Sequence, residues 1–408
     1  MNSNTVIKGL QNPTILIVDD DEAILKFISR HLKRYGYNII EAVNGRVAMN
    51  IIEQKNYPQL IILDANMPIM DGFQTCVALK NHSDTKVSEI PIIMVTGLDD
   101  NDSINKAFDM GAEEYINKPI NMTVLRNRIK LIIEKKTAEK KLKEAYDLIK
   151  KDLKAAELIQ KKLLPEAITL NGFMFRWIFK PSSFIGGDTF NFFKLDERYI
   201  GFYILDVTGH GIPSALLSFM ASKTIVPFPI ESSPLKRSII DPPYYEILTP
   251  DMACEEINKR FQRQSGSMQY FTMVYAYLDI DESKIKLFRA GHVHPIFLPK
   301  DGNVIVLEKG GLPIGLQRSP KYNEIVEFTF NEGDRLFFYT DGITECTNDS
   351  SEMFSDVRLK EFVQENRDLP LDELNNKLEH LLNKWRGCTE FDDDITMLSI
   401  EKLSLDNQ

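Results

Sequence analysis

The stretch TILIVDDDE, residues 14–22, decides the fold of the first part of the chain. It joins an apolar run, long enough for one buried strand, to three consecutive aspartates, and an amphipathic helical pattern follows at once. The same alternation of apolar runs and amphipathic stretches continues to residue 134. Because such alternation is typical of parallel strands joined by helical crossovers, we predict a doubly wound α/β unit of about five strands over residues 13–134.

Polar residues follow the predicted strands of this unit at their carboxyl ends. In a doubly wound sheet these ends meet at one edge, where ligands bind. Several carboxylates at one edge repel one another unless a cation neutralises them, which predicts a bound Mg²⁺ with oxygen ligands. Each residue alone would suit a turn or a helix cap, but the ordered set favours a site for phosphoryl transfer to a carboxylate. The set comprises Asp19, Asp20 and Asp21 after the first strand, Asp64 after the third, Thr96 after the fourth and Lys118 after the fifth.

Four motifs carry a resemblance over residues 13–134: ILIVDDDE, LDANMPIMDG, IIMVTG and YINKP. In this order they resemble the receiver domains of bacterial two-component response regulators. The resemblance implies a cognate histidine kinase as partner and a cis bond between Lys118 and Pro119. It also implies residue roles: Asp64 as phosphoacceptor; Asp20, Asp19, Asp64 and the backbone carbonyl of Asn66 as ligands of one Mg²⁺; Thr96 and Lys118 as phosphate-sensing groups; and Tyr115 as an aromatic switch.

The segment from Leu131 to Pro165 is rich in Lys, Glu, Ala and Leu and has no internal Gly or Pro, which predicts one long helix. We assign residues 135–165 to a helical coiled-coil linker and predict a homodimer through its apolar seam. The alternative is a single helix that packs on a neighbouring part of the chain. The seam has the four-three spacing of a coiled coil and consists of Leu142, Tyr146, Ile149, Leu153, Ala156, Gln160 and Leu163.

Beyond Pro165 the pattern changes to short strands separated by Gly and Asp turns, with three helical patterns among them. This pattern predicts an α+β unit over residues 166–402. Residues 227–250 carry several Pro and Ser residues and are predicted to be a loop insertion of unknown purpose. Residues 1–12 are predicted to be a flexible N-terminus and residues 403–408 a C-terminal tail.

Carboxylates recur beside glycines at four places in this unit: GGD at 186–188, ILDVTGHG at 204–211, FYTDGITE at 338–345 and DDDIT at 392–396. Glycine lets the backbone approach a ligand, and a neighbouring carboxylate can bind a hard cation. Together the clusters predict one composite metal site, in which two cations lower the pKa of a water and clamp a phosphate. No G-x-S-x-G elbow supports acyl-transfer chemistry, and Thr189 after GGD argues against a diguanylate cyclase.

The four clusters, together with IQKKLLP, RAGHVHP and LPIGL, resemble the type 2C metal-dependent serine/threonine phosphatases over residues 160–402, in the bacterial branch that acts in sporulation and stress-sigma-factor control. The resemblance implies a β-sandwich flanked by helices that binds two Mn²⁺ or Mg²⁺. Asn191 stands where relatives carry an acid, so a third, weakly held metal is expected to be missing or altered. The implied ligands are Asp206 bridging both metals, the Val207 carbonyl, Asp341 and Asp393 at the second metal, and Asp188 through water.

Asp394 is the alternative to Asp393, since adjacent strand residues point to opposite faces and only one of them is expected to bind the ion. We prefer Asp393. His210 could act as a general acid, but a structural role beside its glycine turn is favoured. His292 and His294 are expected to pack at a sheet end or contact substrate.

Composition excludes other classes of function. The formal net charge of -10 disfavours binding to nucleic acid, because that affinity rests largely on Lys and Arg. The chain has no apolar run of about 18 residues, and MNSNTVIKGLQNP lacks the pattern of a secretory signal. We therefore expect a cytoplasmic protein that binds neither nucleic acid nor membrane.

These features predict a response regulator that, under control of Asp64 phosphorylation, removes phosphate from phosphoserine or phosphothreonine on a regulatory protein. By resemblance, that protein is an anti-sigma-factor antagonist. The alternative is a non-catalytic adaptor that binds a partner through a phosphatase-like domain. Retention of Asp188, Asp206, Asp341 and Asp393 favours the enzyme.

Overall fold

The computed structural model forms two compact units, Met1–Leu148 and Ile149–Gln408. Residues 1–11 and 405–408, and therefore most of the predicted flexible N-terminus and part of the predicted tail, lie outside the described residues. The structure describes residues 12–97, 105, 107–228, 230–262, 270–316, 324–388 and 390–404.

The first unit is a five-stranded parallel sheet with strand order β2-β1-β3-β4-β5, which confirms the predicted doubly wound α/β fold. A further helix, predicted over residues 103–112, lies partly outside the described residues. The elements are β1 (Thr14–Val18), α1 (Glu22–Arg34), β2 (Asn38–Ala42), α2 (Gly45–Glu53), β3 (Leu60–Asp64), α3 (Gly72–Lys80), α4 (Thr85–Ser88), β4 (Ile92–Thr96), β5 (Glu114–Asn117) and α5 (Met122–Leu163).

The central strands are apolar throughout because both faces of the sheet are covered. Alternate residues point to opposite faces, so Leu16 and Leu63 join one core cluster while Ile17 and Ile62 join another. Burial of both faces holds the strands in register and brings their carboxyl ends together at one edge.

Helix α5 is continuous over 42 residues, and the predicted boundary between residues 134 and 135 falls inside it. Its first turns bury Leu125, Ile129 and Ile133 in the core of the first unit. Farther along, Leu142 is 73% exposed, whereas Leu153 is half-buried in the second unit. The predicted seam therefore consists of an exposed part and a partly covered part.

The second unit is a β-sandwich of two antiparallel sheets, with orders β16-β13-β12-β9-β8 and β15-β14-β17-β18-β7-β6. Its elements are β6 (Thr169–Leu170), β7 (Phe173–Lys180), β8 (Thr189–Lys194), β9 (Tyr199–Val207), α6 (Ile212–Thr224), β10 (Lys236–Ser238), β11 (Tyr245–Ile247), α7 (Pro250–Arg260), β12 (Phe271–Asp279), β13 (Lys284–Ala290), β14 (Ile296–Leu298), β15 (Ile305–Val306), β16 (Val326–Thr329), β17 (Arg335–Tyr339), α8 (Asp341–Thr344), α9 (Ser355–Glu365), α10 (Leu371–Arg386) and β18 (Ile395–Lys402).

Aromatic side chains fill the space between the two sheets. Phe202 of β9 and Phe338 of β17 come from opposite sheets, and their ring centroids lie 5.5 Å apart. Helices cover the outer faces: α6 and α7 share one core cluster with β9 and β12, and α9 and α10 share another with β17 and β18. This layering confirms the predicted helix-flanked sandwich, and it brings the ends of strands from both sheets to one side of the core.

Residues 230–250 form most of the predicted loop insertion 227–250, and this part has regular secondary structure. It contains a short 3₁₀ helix, Ile230–Ser232, and the antiparallel hairpin β10–β11. The segment folds because Leu235 and Leu248 are buried in the core under α6 and α7. Among the described residues, no helix is both long enough and apolar enough to cross a bilayer.

Candidate functional site

The acidic residues of the first unit meet at the carboxyl edge of its sheet. Asp19 follows β1 and Asp64 ends β3, and the two residues are only 2% and 4% exposed. Asp20 is exposed, yet a carboxylate oxygen of each of the three residues lies within 4.8 Å of the others. Asp21, by contrast, caps helix α1, because its side chain accepts hydrogen bonds from the backbone N–H groups of Ala23 and Ile24.

Lys118 faces this carboxylate cluster from the end of β5. Its Nζ lies 2.6 Å from Oδ1 of Asp64 and 3.3 Å from Oδ2 of Asp19. Its backbone N–H donates to the carbonyl of Thr96, and Thr96 itself is buried at the end of β4. The Lys118–Pro119 bond is cis, as expected. The structure thus brings Asp19, Asp20, Asp64, Thr96 and Lys118 to one edge.

Burial raises the pKa of Asp64, and the ammonium group of Lys118 opposes that shift. Burial alone would lower the pKa of Lys118, but the neighbouring carboxylates raise it overall. The backbone N–H of Asn66 donates to Asp64 over 3.3 Å, and the half-buried ring of Tyr115 packs edge-on against Phe108. All-oxygen donors around a buried carboxylate suit a magnesium ion.

The acidic residues of the second unit come from both sheets. Thr189 of β8 pairs with Leu205 of β9, so the same register places Asp188 opposite Asp206. Asp341 opens α8 directly after β17, and Asp393 lies just before β18, which pairs with β17. The sandwich therefore gathers four of the sequence-predicted carboxylates from segments about 200 residues apart along the chain.

These four carboxylates repel one another. Burial and the charges of Asp341 and Asp393 raise the pKa of Asp206 to about 7. Burial, and then the charge of Asp206, holds the pKa of Asp188 well above its usual range. The pKa values of Asp341 and Asp393 are also raised, each chiefly by burial. Such a cluster is expected where cations bind, because a cation converts the repulsion into attraction.

The backbone around Asp206 fits a metal site as well. A Cβ atom on Gly187 would lie 3.1 Å from the carbonyl oxygen of Val207, so glycine leaves this oxygen uncovered by a side chain. With the carboxylates, Val207 completes a donor set made only of oxygen, which suits Mn²⁺ or Mg²⁺. Within the described residues the acidic cluster at Asp64 is the tighter of the two, since three oxygens within 4.8 Å are found only there.

Sequence reasoning missed two residues that hold this site together, Thr340 and Gln160. Thr340 is buried, and its hydroxyl donates to Oδ2 of Asp188 over 2.8 Å. Gln160 of α5 forms two hydrogen bonds with the backbone of Gly186, next to the GGD turn. The spacing predicts a seam position for Gln160, and a polar residue in an apolar seam is the one signal in the sequence that points to a different role.

The three histidines singled out in the sequence of the second unit differ in their exposure and contacts. His292 is buried, and its Nε2 donates to the carbonyl of Tyr339 over 2.9 Å, so Nδ1 accepts from the hydroxyl of Thr272. His294 is exposed. His210 is exposed, and its charge lowers the pKa of Asp393 as a minor effect beside burial.

Comparison with known proteins assigns both units. The family model described as Stage II sporulation protein E (SpoIIE) matches residues 196–402, and the model described as response regulator receiver domain matches residues 15–130. The SiaA-PP2C domain of Pseudomonas aeruginosa is a structural neighbour with a TM-score of 0.53 at 21% identity, covering 63% of this chain and 98% of that domain. It shows that the second unit has the PP2C fold.

Two curated relatives match stretches of different length. Histidine kinase P4 of Formosa agariphila is 40% identical over 129 residues, which are 32% of this chain and 9% of that protein. Phosphoserine phosphatase RsbP of Bacillus subtilis is 25% identical over 256 residues, 62% of this chain. The chain thus spans 9% and 58% of the lengths of these two relatives. The SpoIIE match covers over half of the residues, and the chain, with its receiver domain and PP2C fold, belongs to the SpoIIE family.

Proposed function

We propose that this protein is a cytoplasmic, metal-dependent phosphatase that hydrolyses phosphoserine or phosphothreonine on a regulatory protein. The observation that carries the proposal is the convergence of Asp188, Asp206, Asp341 and Asp393, whose pKa values are all raised. Asp188 is buried, Asp206 and Asp341 are half-buried, and Asp393 is exposed. Carboxylates that repel one another in this way destabilise the fold unless they bind cations. The neighbour named phosphoserine phosphatase RsbP supports the same chemistry.

The resemblance to type 2C phosphatases supplies the ligand roles. Asp206, with the Val207 carbonyl, would hold two Mn²⁺ or Mg²⁺, Asp341 and Asp393 would serve the second ion, and Asp188 would act through water. Two bound cations would lower the pKa of a water and hold the phosphate for in-line attack. The resemblance to stress-regulator phosphatases favours an anti-sigma-factor antagonist as substrate.

The activity is tested by hydrolysis of p-nitrophenyl phosphate with and without Mn²⁺, using the purified full chain. Asp206→Asn serves as the inactive variant, and Asp301→Asn, an exposed carboxylate in a turn, is the matched control. A Mn²⁺-dependent rate in the wild type and in Asp301→Asn, but not in Asp206→Asn, is expected. If the wild type shows no such rate, the domain is an adaptor that only binds its partner.

The receiver domain supplies the control input. Asp19, Asp20, Asp64 and the Asn66 carbonyl would hold one Mg²⁺, which would assist phosphotransfer from a cognate histidine kinase to Asp64. Lys118, already 2.6 Å from Asp64, then contacts the phosphoryl group together with the hydroxyl of Thr96. Tyr115 changes rotamer as these groups rearrange.

Helix α5 transmits that change to the metal site. It begins in the receiver core, and its residue Gln160 is hydrogen-bonded to the turn that carries Asp188. A change in the register or tilt of α5 would therefore displace Asp188. Dimerisation through the exposed part of the seam supplies the partner surface against which α5 can change register.

Coupling is tested by measuring the phosphatase rate with and without acetyl phosphate. The wild-type rate should change on phosphorylation, and the Asp64→Asn variant should keep one rate under both conditions. Asp109→Asn removes an exposed carboxylate of the same domain and should behave as wild type. Equal wild-type rates, despite phosphorylation of Asp64 verified by mass spectrometry, would remove the coupling and leave the phosphatase assignment intact.

A further inference from the structure

Asp394 lies beside Asp393 at the start of β18, but it makes different contacts. Its side chain is buried, and Oδ2 accepts hydrogen bonds from the backbone N–H groups of Gly187 over 2.7 Å and Asp188 over 3.4 Å. Oδ1 accepts from the backbone N–H of Ser182 over 2.8 Å and from its hydroxyl over 3.0 Å. The carboxylate of Asp394 therefore connects the turns at Ser182 and Gly187, which lie more than 200 residues earlier in the chain.

These contacts occupy the hydrogen-bond acceptor sites of the Asp394 carboxylate. A carboxylate has about four lone-pair sites, and four donors occupy them here. Little capacity is left for a cation. Asp393, by contrast, accepts from the backbone N–H of Asp394 and is exposed to the charge of Asp341, which raises its pKa further after burial.

Position 186 requires a glycine, because its backbone lies very close to the carboxylate of Asp394. A Cβ on Gly186 would lie 2.3 Å from Oδ2 of Asp394, well inside van der Waals contact. The carbonyl of Gly186 is held from the other side by Gln160. The turn 186–188 is thus clamped between a strand end of the sandwich and helix α5.

We infer that Asp394 is a positioning residue that sets the place of Asp188 by holding the backbone of the Gly186–Asp188 turn, and that Asp393 alone of the pair binds metal. The inference rests on the metal roles proposed above for Asp188 and Asp393. Asparagine keeps one oxygen that accepts an N–H, but it carries no charge for a cation, and its NH2 group cannot accept from the donors at the second oxygen.

The first test is isothermal titration of Mn²⁺ into the full chain and its variants. Asp394→Asn should weaken binding by less than about tenfold, because its one oxygen still accepts from Gly187 although its amide group no longer accepts from Ser182, whereas Asp394→Ala should weaken binding roughly 10- to 100-fold, as losses behind a metal ligand do. Asp393→Asn should lose the affinity of one site altogether. Asp394→Asn binding as weakly as Asp393→Asn would overturn the inference.

The second test uses metal-free protein in EDTA and does not depend on catalysis. Asp393→Asn should raise the melting temperature of the second unit, because it removes a repelled charge. Asp394→Ala should lower it, because buried N–H donors lose their acceptor. If Asp394→Asn raises the melting temperature as much as Asp393→Asn does, the positioning role is contradicted. If the wild type binds no Mn²⁺, the proposed function is refuted. The order of the variants' melting temperatures would still decide whether Asp394 positions the turn.

Discussion

Gln160 and Gly186 are joined by two hydrogen bonds of opposite direction. Nε2 of Gln160 donates to the Gly186 carbonyl over 2.8 Å, and the Gly186 N–H donates to Oε1 over 3.1 Å. A side-chain amide that pairs with a backbone amide in this way fixes both position and orientation. Since Asp188 lies two residues farther along, this pair connects helix α5 directly to the acidic site.

Replacing Gln160 with Ala should therefore weaken the metal site. Two hydrogen bonds contribute roughly 1 kcal/mol each, so kcat/KM should fall by roughly ten- to thirtyfold and Mn²⁺ should bind more weakly. Kinetics on p-nitrophenyl phosphate across a Mn²⁺ titration measure both effects. Lys161→Ala changes the next, exposed residue of the same helix and should leave them unaltered. Wild-type Mn²⁺ affinity in Gln160→Ala would show that the contact does not support the site.

Asp206 should make the metal-free protein less stable as the pH rises. Burial and the charges of Asp341 and Asp393 raise its pKa to about 7 in the folded state, whereas an unfolded aspartate titrates near about 3.9. Between these values the folded state binds more protons, so stability is lost as the pH rises through the window. In EDTA, the stability of the Asp206→Asn variant should therefore fall less between pH 5 and pH 8 than that of the wild type. Melting curves at the two pH values check it, and an unchanged slope would contradict it.

His292 should have the opposite pH dependence. Burial lowers its pKa to about 3, well below about 6.5 for an unfolded histidine. The unfolded state binds more protons in this window, so stability falls as the pH drops from 6.5 towards 3. His292→Gln should be less stable than wild type at pH 7.5, and the difference should shrink at pH 5. The exposed His294→Gln is the control, and a constant difference would count against a buried neutral imidazole.

Lys236 should stabilise the hairpin within segment 227–250. It is only 3% exposed, its Nζ donates to the Leu195 carbonyl over 2.5 Å, and it lies 4.0 Å from the ring centroid of Phe228 and 4.4 Å from that of Tyr245. Lys236→Met keeps the apolar stem but loses these interactions.

The Lys236→Met change should cost about 1–3 kcal/mol. Urea denaturation followed by tryptophan fluorescence reports on the second unit, because both tryptophans, Trp177 and Trp385, lie in it. The exposed Arg237→Met should change stability by less than about 0.5 kcal/mol. Equal stability of the two variants would show that the buried ammonium group is dispensable.

The exposed part of the seam should hold two chains together. Leu142, Tyr146 and Ile149 are all more than half exposed in the single chain. Burying each would contribute roughly 1.5–3 kcal/mol, so the double change Leu142→Glu and Ile149→Glu should weaken a dimer at least about 100-fold. Light scattering after size-exclusion chromatography measures the mass. Lys143→Glu is the exposed control on the same helix, and a monomeric wild type would contradict the seam.

The receiver unit was predictable because its signals are local. Each strand ends in a polar residue, and parallel strands in a doubly wound sheet bring those ends to one edge whatever the details of packing. Asp64, Asp19 and Lys118 could therefore be placed together from the order of motifs alone. The strands of the sandwich were likewise visible from their alternation, but helix α9 and the hairpin β10–β11 were not, because burial in the tertiary core decides both.

By itself, the sequence determined which residue types this protein brings to each site: carboxylates beside glycines, in motifs whose spacing suits strand ends and turns. Only the tertiary structure decided which contacts each of two residues adjacent in the sequence makes. Asp393 and Asp394 are adjacent and chemically identical, yet backbone donors from Ser182 and Gly187 surround only Asp394. The spacing predicts a seam position for Gln160, but its side chain is hydrogen-bonded to Gly186. Hydrogen bonds between residues far apart in the chain depend on how the sheets and helices pack, which local patterns do not encode.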